Sequence, residues 1–177
     1  MIGFLHIPKT GGTSLRTAFE TAGYRVWRPH GARYTTCVPE PPPVADVVTG
    51  HIPFDVFSEL AVDMWVTVLR DPVDRWLSHH FAEAGDPDPQ PVPDNLTCRM
   101  LTNLDTVDVD AALTNLARFD HVGLTDRLVD TFAWFGLEPR YERHSTERSD
   151  VPAWLSDAAH DANQFDLQLY EEAQREP

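Results

Sequence analysis

The segment "FLHIPKTGGTSL", from Phe4 to Leu15, decides the fold because it combines a strand, a tight turn and the start of a helix. Residues 2–7 form a short apolar run that ends at Pro8, and this pattern predicts a buried strand. Residues 13–22 follow with helical periodicity, and Gly23 is a natural helix stop. The apolar face of this predicted helix consists of Leu15, Ala18, Phe19 and Ala22.

The turn between strand and helix carries residue types that bind anions. Gly11 and Gly12 allow close backbone approach and positive φ angles. The first N–H groups of a helix lack intrahelical partners and attract phosphate or sulfate. A turn that only caps a helix is the simpler alternative, but the adjacent lysine and hydroxyls favour anion binding. The predicted ligands are Lys9, Thr10, Gly11, Gly12, Thr13 and Ser14.

The order of residues in this turn differs from that of the nucleoside triphosphate P-loop. The P-loop motif GxxxxGK[ST] places its lysine after the last glycine and uses the next hydroxyl to bind Mg²⁺. Here Lys9 precedes both glycines, and it is the only lysine in the chain. The loop is therefore P-loop-like in position, with a different arrangement of ligands.

The length and composition favour one globular domain over residues 1–177. No apolar run reaches the length of a membrane span, and no basic leader precedes the first strand, so we expect a cytoplasmic protein. Cys37 and Cys98 lack metal spacing, and free thiols are favoured over a disulfide in that compartment.

The formal net charge of −14 argues against a nucleic-acid partner. The basic residues of positions 1–35 oppose a single acid, Glu20, whereas the rest of the chain is strongly acidic. This uneven distribution favours an anion site near the opening loop, although the acidic excess itself suits solubility. Arg25, Arg28 and Arg33 could contact an anionic acceptor or could be ordinary surface arginines.

Strands alternate with helices along the chain, which predicts an α/β fold with three layers and a mainly parallel central sheet. "MWVTVL", residues 64–69, is the clearest later strand. Further strands are predicted at 24–27, 46–49 and 139–143, loops at 28–43 and 85–93, and helices near 94–102, 108–118, 125–135, 152–161 and 164–175.

The segment "RDPVDRWLSHHFAEAG" predicts a helix directly after the strand at 64–69. Asp71 is a suitable N-cap, and Pro72 suits the first helical position. His80 lies on the apolar stripe and is expected to pack in the core, as His6 is expected to pack against or orient the loop. The stripe consists of Val73, Trp76, Leu77, His80 and Phe81.

Taken together, the motifs resemble those of sulfotransferases that use 3′-phosphoadenosine 5′-phosphosulfate (PAPS). The similarity is to the carbohydrate branch, which includes heparan sulfate 2-O- and 6-O-sulfotransferases and bacterial relatives. "FLHIPKTGGTSL" resembles the 5′-phosphosulfate loop, and "VLRDPVDRWLSHH" resembles the 3′-phosphate motif. "TGHIPF" resembles the segment with the catalytic histidine. "DNLTCRML" resembles the family's Asn-…-Arg-Met-Leu stretch, and "FDHVGLTDRL" and "FDLQLYEEA" resemble its later helices. These weaker similarities extend the match from residue 3 to about residue 173.

The resemblance implies transfer of a sulfuryl group from PAPS, without a metal, to a hydroxyl of a glycan, glycolipid or small molecule. It implies that Lys9 and its loop bind the 5′ end of PAPS, with Lys9 also stabilising the leaving group. Arg70 and Ser78 would bind the 3′-phosphate, and His51 would be the catalytic base. Considered alone, Arg70 could instead pair with Asp71 or Asp74, and His51 could simply end a strand.

Two other functions fit parts of the sequence. One is a P-loop-like kinase that uses ATP and Mg²⁺, although the GK[ST] order is missing. The other is a nucleotide-binding module without catalytic activity. The contribution of residues 139–150 to the nucleotide site is open, because His144 and Ser145 replace the family's asparagine and hydroxyl residue.

Overall fold

The computed structural model describes residues 1–28, 44–84, 91–141 and 151–175. Several predictions therefore fall outside the described residues. They concern most of the predicted loops at 28–43 and 85–93, the end of the predicted strand at 139–143, and Arg33, Cys37, His144 and Ser145.

Within the described residues, the central sheet contains five strands, all parallel, in the spatial order β2-β3-β1-β4-β5. The prediction of a mainly parallel sheet is confirmed, and the strand at 64–69 has the predicted bounds. The strands are β1 (Ile2–Leu5), β2 (Val26–Trp27), β3 (Val47–Gly50), β4 (Met64–Leu69) and β5 (His121–Leu124).

Helices cover both faces of this sheet, so the expected three-layer architecture is confirmed. A short 3₁₀ turn, Thr125–Arg127, joins β5 to the next helix. Among the described helices, none has the length and apolar character needed to cross a bilayer. The helices are α1 (Gly12–Thr21), α2 (Phe54–Phe57), α3 (Pro72–Glu83), α4 (Leu96–Leu101), α5 (Val109–Leu116), α6 (Leu128–Trp134), α7 (Ala153–Asp161) and α8 (Gln164–Arg175).

Two hydrophobic clusters fill the spaces between the layers. Successive strand residues point to opposite faces, so Phe4 packs with α1 and α6, whereas Leu5 packs with α2, α4, α5 and α8. Val47 and Val48 divide in the same way. Because both faces are covered, the strands are almost continuously apolar, and each large buried side chain contributes about 1.5–3 kcal/mol.

Three features of the fold differ from the sequence predictions. The strand β5 and the short helix α2 were not predicted, because each has only four residues and depends on tertiary packing. The strand predicted at 139–143 is wrong over 139–141, where the chain has no regular structure. Pro139 is consistent with this result, because proline cannot donate a hydrogen bond to a sheet.

The buried face of α3 also differs from the prediction. Arg75 and His79 are buried, whereas the predicted apolar stripe is only partly buried. His80 packs against the rings of Trp76 and Phe81 at centroid distances of 5.2 and 5.4 Å, but it is not a core residue. The face of α3 that contains Arg75 and His79 is therefore the one that packs against α7 and α8. The periodicity of apolar residues cannot predict a buried polar face.

A reciprocal pair of caps joins α4 to α8. The side-chain oxygen of Asn95 accepts hydrogen bonds from the N–H groups of Phe165 (3.0 Å) and Asp166 (3.2 Å). The buried Asp166 carboxylate in turn accepts from the N–H groups of Thr97 and Cys98, both at 2.8 Å. Each helix thus supplies the N-terminal cap of the other. Cys98 is a free, buried thiol whose pKa is raised by burial and by Asp166.

Candidate active site

The candidate residues lie together because they follow directly after neighbouring parallel strands. His51 follows β3, Arg70 follows β4, and the loop that contains Lys9 follows β1. The register places Leu5 beside Gly50, so the ends of β1 and β3 are level. Carboxyl ends of parallel strands share one edge of the sheet, and this edge holds the site.

The loop occupies the point at which the sheet topology reverses. β1 lies in the centre, with β3 on one side and β4 on the other. Ligands of open α/β sheets bind in the crevice outside the strand ends at this position. His51 and Arg70 therefore flank the loop from opposite sides.

Two positive φ angles shape the loop. Lys9 has φ 71° and Gly11 has φ 84°, which confirms the expected left-handed conformation at Gly11 and adds an unexpected one at Lys9. Gly12 instead begins α1, and it is needed for close packing, because an added Cβ would lie 2.1 Å from Cδ2 of His6. The two glycines thus serve different purposes.

The loop carbonyls are held by hydrogen bonds from the surrounding elements. The Lys9 carbonyl accepts from Nη1 of Arg70 (3.3 Å), and the Thr10 carbonyl accepts from Oγ1 of Thr125 (2.9 Å). The Gly11 carbonyl accepts from an N–H in the first turn of α1 (3.0 Å). Since the N–H of a peptide points away from its carbonyl, the N–H groups of residues 10–12 face away from these partners.

The side chain of Thr10 has a structural part in the loop. Its hydroxyl is buried and donates to the carbonyl of Ile7 at 2.9 Å. Its single proton is therefore used within the loop, and an anion would meet the Thr10 N–H instead. Ser14 is buried, whereas Lys9 and Thr13 are partly exposed. The ligand roles of all six loop residues stay predictions.

The hydrogen bond of His51 defines its neutral tautomer. Nδ1 lies 2.6 Å from the carbonyl oxygen of His6, which can only accept a hydrogen bond. Nδ1 therefore carries the proton, and Nε2 has the lone pair that a general base requires. The ring of His51 also packs against that of His6 at a centroid distance of 4.4 Å.

His6 links the predicted base to the anion loop. Its ring contacts His51, Gly12 and Phe4, and its backbone N–H donates to Gly50 at 3.2 Å. Burial, followed by the charges of nearby basic groups, holds the pKa of His6 well below 6.5. His6 is therefore neutral near pH 7. These groups are His51, Arg16 and Arg28, and the two arginines place permanent positive charge near His6.

The beginning of α3 matches the sequence prediction. The Asp71 carboxylate accepts from the N–H of Asp74 at 2.9 Å, and Pro72 occupies the first helical position. Arg70 is partly buried and donates to the loop, and its role as a ligand of the 3′-phosphate stays a prediction. Ser78 is partly buried in the second turn, roughly 9 Å along the helix from its first residue.

Two other arginines have structural contacts. Arg75 is fully buried and donates from Nη2 to Oδ1 of Asn163 at 3.2 Å, so it is not accessible to a ligand. Arg25 forms two side-chain hydrogen bonds with Asp46, at 2.6 and 2.8 Å. These bonds hold the pKa of the Asp46 carboxyl well below its usual range. The surface interpretation of Arg25 is therefore favoured over acceptor binding.

Sequence reasoning missed Thr125 as a residue of this edge. The Thr125 hydroxyl contacts the loop because β5, which precedes Thr125, pairs with β4 and ends at the same edge of the sheet. A polar residue directly after a strand is the signal that could have found it, but β5 itself was not predicted. Across the described segments, no group of three or more His, Cys, Asp or Glu side chains is arranged to hold a metal ion.

Comparison with known proteins adds no family assignment to this geometry. No protein-family model matches the chain, and no curated protein matches it either. The interpretation of the site therefore depends on the sequence motifs and on the contacts described above.

Proposed function

We propose that the protein is a sulfotransferase that moves a sulfuryl group from PAPS to an acceptor hydroxyl. The observation that carries this proposal is the loop between His51 and Arg70, in which the carbonyls of residues 9–11 accept hydrogen bonds from Arg70, Thr125 and the first turn of α1. The N–H groups of residues 10–12 are thereby directed away from those contacts, as in backbone sites that bind anions.

The residues present suit a donor that carries negative charge at both ends. Lys9 and the N–H groups of the loop would hold the sulfated 5′ end, and Arg70 with Ser78 would hold the 3′-phosphate. When bound, PAPS supplies an activated sulfuryl group and departs as adenosine 3′,5′-bisphosphate.

His51 is proposed as the base that accepts the proton of the attacking hydroxyl. Its Nδ1–H donates to the carbonyl of His6, so Nε2 is the atom that takes the proton. Protonation gives an imidazolium whose Nδ1–H bond to that carbonyl is strengthened. Lys9 would stabilise the negative charge that develops on the departing oxygen.

The acceptor is proposed to be a hydroxyl of a small molecule or glycan with little negative charge. A net charge of −14 would repel a highly sulfated polymer, whereas the basic groups around the loop attract a single anionic cofactor. Arg25 is already paired with Asp46 and is not needed for acceptor binding in this proposal.

Thermal unfolding with nucleotides tests the proposed function. We expect adenosine 3′,5′-bisphosphate to raise the melting temperature in the presence of EDTA, because it binds only the folded protein. ATP with Mg²⁺ should have a much smaller effect. A preference for ATP with Mg²⁺ would instead support the kinase. Strong bisphosphate binding without sulfuryl transfer to a panel of hydroxyl acceptors would support the non-catalytic module.

A matched variant makes this test specific to the predicted site. Lys9→Ala should lose most of the stabilisation by the bisphosphate, whereas Arg118→Ala, at an exposed position before the amino end of β5 and therefore at the opposite edge of the sheet, should retain it. Equal stabilisation of both variants would place the nucleotide elsewhere and contradict the proposal.

A further inference from the structure

We propose that Thr125 is a positioning residue that holds the anion loop in its binding conformation. The inference rests on the proposed function for the identity of the ligand. Thr125 is 115 positions away from Thr10 in the chain, and no catalytic role is assigned to it.

The hydroxyl of Thr125 connects the turn after β5, to which it belongs, with the loop after β1 and with the end of β4. Its Oγ1 lies 2.9 Å from the carbonyl oxygen of Thr10 and 3.0 Å from that of Leu69. One proton is thus shared between the loop after β1 and the end of β4. Because Arg70 follows Leu69 and itself donates to the Lys9 carbonyl, the hydroxyl fixes the loop relative to that arginine.

A second contact from the same segment supports the loop. An added Cβ on Gly11 would lie 3.2 Å from Cδ2 of Leu128 and 3.8 Å from Cγ2 of Thr125. Leu128 is buried, so this contact belongs to the packed core beneath the loop. The side chains of Thr125 and Leu128, in the turn from β5 into α6, therefore lie close to Gly11 and leave little room for a larger residue there.

Without the Thr125 hydroxyl, the peptide group between Thr10 and Gly11 would gain rotational freedom. The Thr10 carbonyl would lose its described donor, and a buried acceptor without a partner is costly. Rotation of this peptide toward water would turn the Gly11 N–H away from the anion. The effect should therefore concern the 5′ end of the ligand and spare the 3′ end.

Calorimetric titration with two nucleotides distinguishes an effect on binding of the 5′-phosphate from an effect on binding of the 3′-phosphate. Thr125→Val keeps the shape of the side chain but removes its hydroxyl, and Thr125→Ser restores the hydroxyl. We expect Thr125→Val to weaken adenosine 3′,5′-bisphosphate about tenfold, the effect of one hydrogen bond. Binding of adenosine 3′-monophosphate should change by less than about twofold. Thr125→Ser should bind both nucleotides like the wild type.

Thr67→Val is the matched control for loss of a buried threonine hydroxyl. Thr67 donates to the carbonyl of Leu5 at 3.0 Å, within the sheet and before the loop begins. This variant should bind both nucleotides normally. If Thr125→Val left the bisphosphate affinity unchanged, or weakened both nucleotides equally, the positioning role would be overturned.

A ligand-free measurement distinguishes failure of this inference from failure of the proposed function. Thr125→Val should shift the backbone amide resonances of Gly11 and Gly12, whereas Thr125→Ser and Thr67→Val should leave them in place. Unchanged resonances in Thr125→Val would overturn the inference whatever the ligand is. If the wild type did not bind the bisphosphate but Thr125→Val still shifted these resonances, only the proposed sulfotransferase function would be overturned.

Discussion

At the scale of single residues, buried histidines are expected to make stability depend on pH. Burial lowers the pKa values of His6 and His121 below 6.5 in the folded protein. Below about pH 6.5 the unfolded chain therefore binds protons that the folded chain does not, and stability falls as pH decreases. Each histidine contributes a slope of at most about 1.4 kcal/mol per pH unit.

Urea unfolding between about pH 7.5 and pH 5 measures this slope. We expect His6→Phe to flatten it, because phenylalanine preserves a ring beside Phe4 and does not titrate. Phe4→Leu, which alters the neighbouring ring but removes no titratable group, should leave the slope unchanged. A wild-type slope that persists fully in His6→Phe would show that this ring is protonated in the folded protein.

The roles of Lys9 and His51 should separate in binding and turnover. Lys9→Ala should abolish sulfuryl transfer, since the loss of one preorganised donor costs roughly 3–4 kcal/mol of transition-state stabilisation. His51→Ala should lose turnover but still bind adenosine 3′,5′-bisphosphate, because it lies on the β3 side of the loop. Transfer of ³⁵S from labelled PAPS and calorimetric binding measure the two effects. Normal turnover in either variant would remove the corresponding assignment.

At the scale of elements, the caps between α4 and α8 are expected to stabilise the fold strongly. Asp166→Ala removes two hydrogen bonds to buried N–H groups, at Thr97 and Cys98, and should cost about 2–3 kcal/mol. Asp108→Ala is the control, because Asp108 caps α5 through one bond to Ala111 at an exposed position. It should cost about 1 kcal/mol.

Chemical denaturation of both variants checks this order. Equal losses would show that water replaces the Asp166 carboxylate at its two amide partners. In that case the cap would orient α4 and α8 without contributing more than an ordinary surface cap.

The elements that were predicted from sequence are those with their own local signals. β1 and β4 are apolar runs with clear ends, and α3 has its aspartate cap and following proline. β5 has only the residues "HVGL" and becomes a strand because Val66–Leu69 of β4 supplies its partners. No local pattern records such pairing, so β5 and the residue after it were missed.

At the scale of the whole molecule, the sequence predicts only those features of the site that follow from the positions of the strand ends. Because β1, β3 and β4 are parallel, the residues that follow them, including Lys9, His51 and Arg70, lie at one edge of the sheet. The tautomer of His51 and the burial of Arg75 depend on contacts between distant segments. Sequence periodicity contains no information about those contacts, so they required coordinates.

The charge of the whole molecule should make added salt stabilising. With a net charge of −14, self-repulsion opposes the compact state, and screening weakens it. We expect the urea midpoint to rise between about 20 mM and about 500 mM NaCl. Chloride is preferred to sulfate, which could occupy the loop. A falling midpoint would mean that surface ion pairs such as Arg127–Asp130 outweigh the general repulsion.

The packing of Gly12 against His6 has a practical consequence for inactive mutants. Any larger residue at position 12 would displace the His6 imidazole, whose ring packs against that of His51, and would also disturb the first turn of α1. Such a protein would be impaired in nucleotide capture and in proton removal at once, and its phenotype could not be traced to either step. Substitution of Gly12 is therefore unsuitable for experiments that aim to abolish only nucleotide binding or only proton removal.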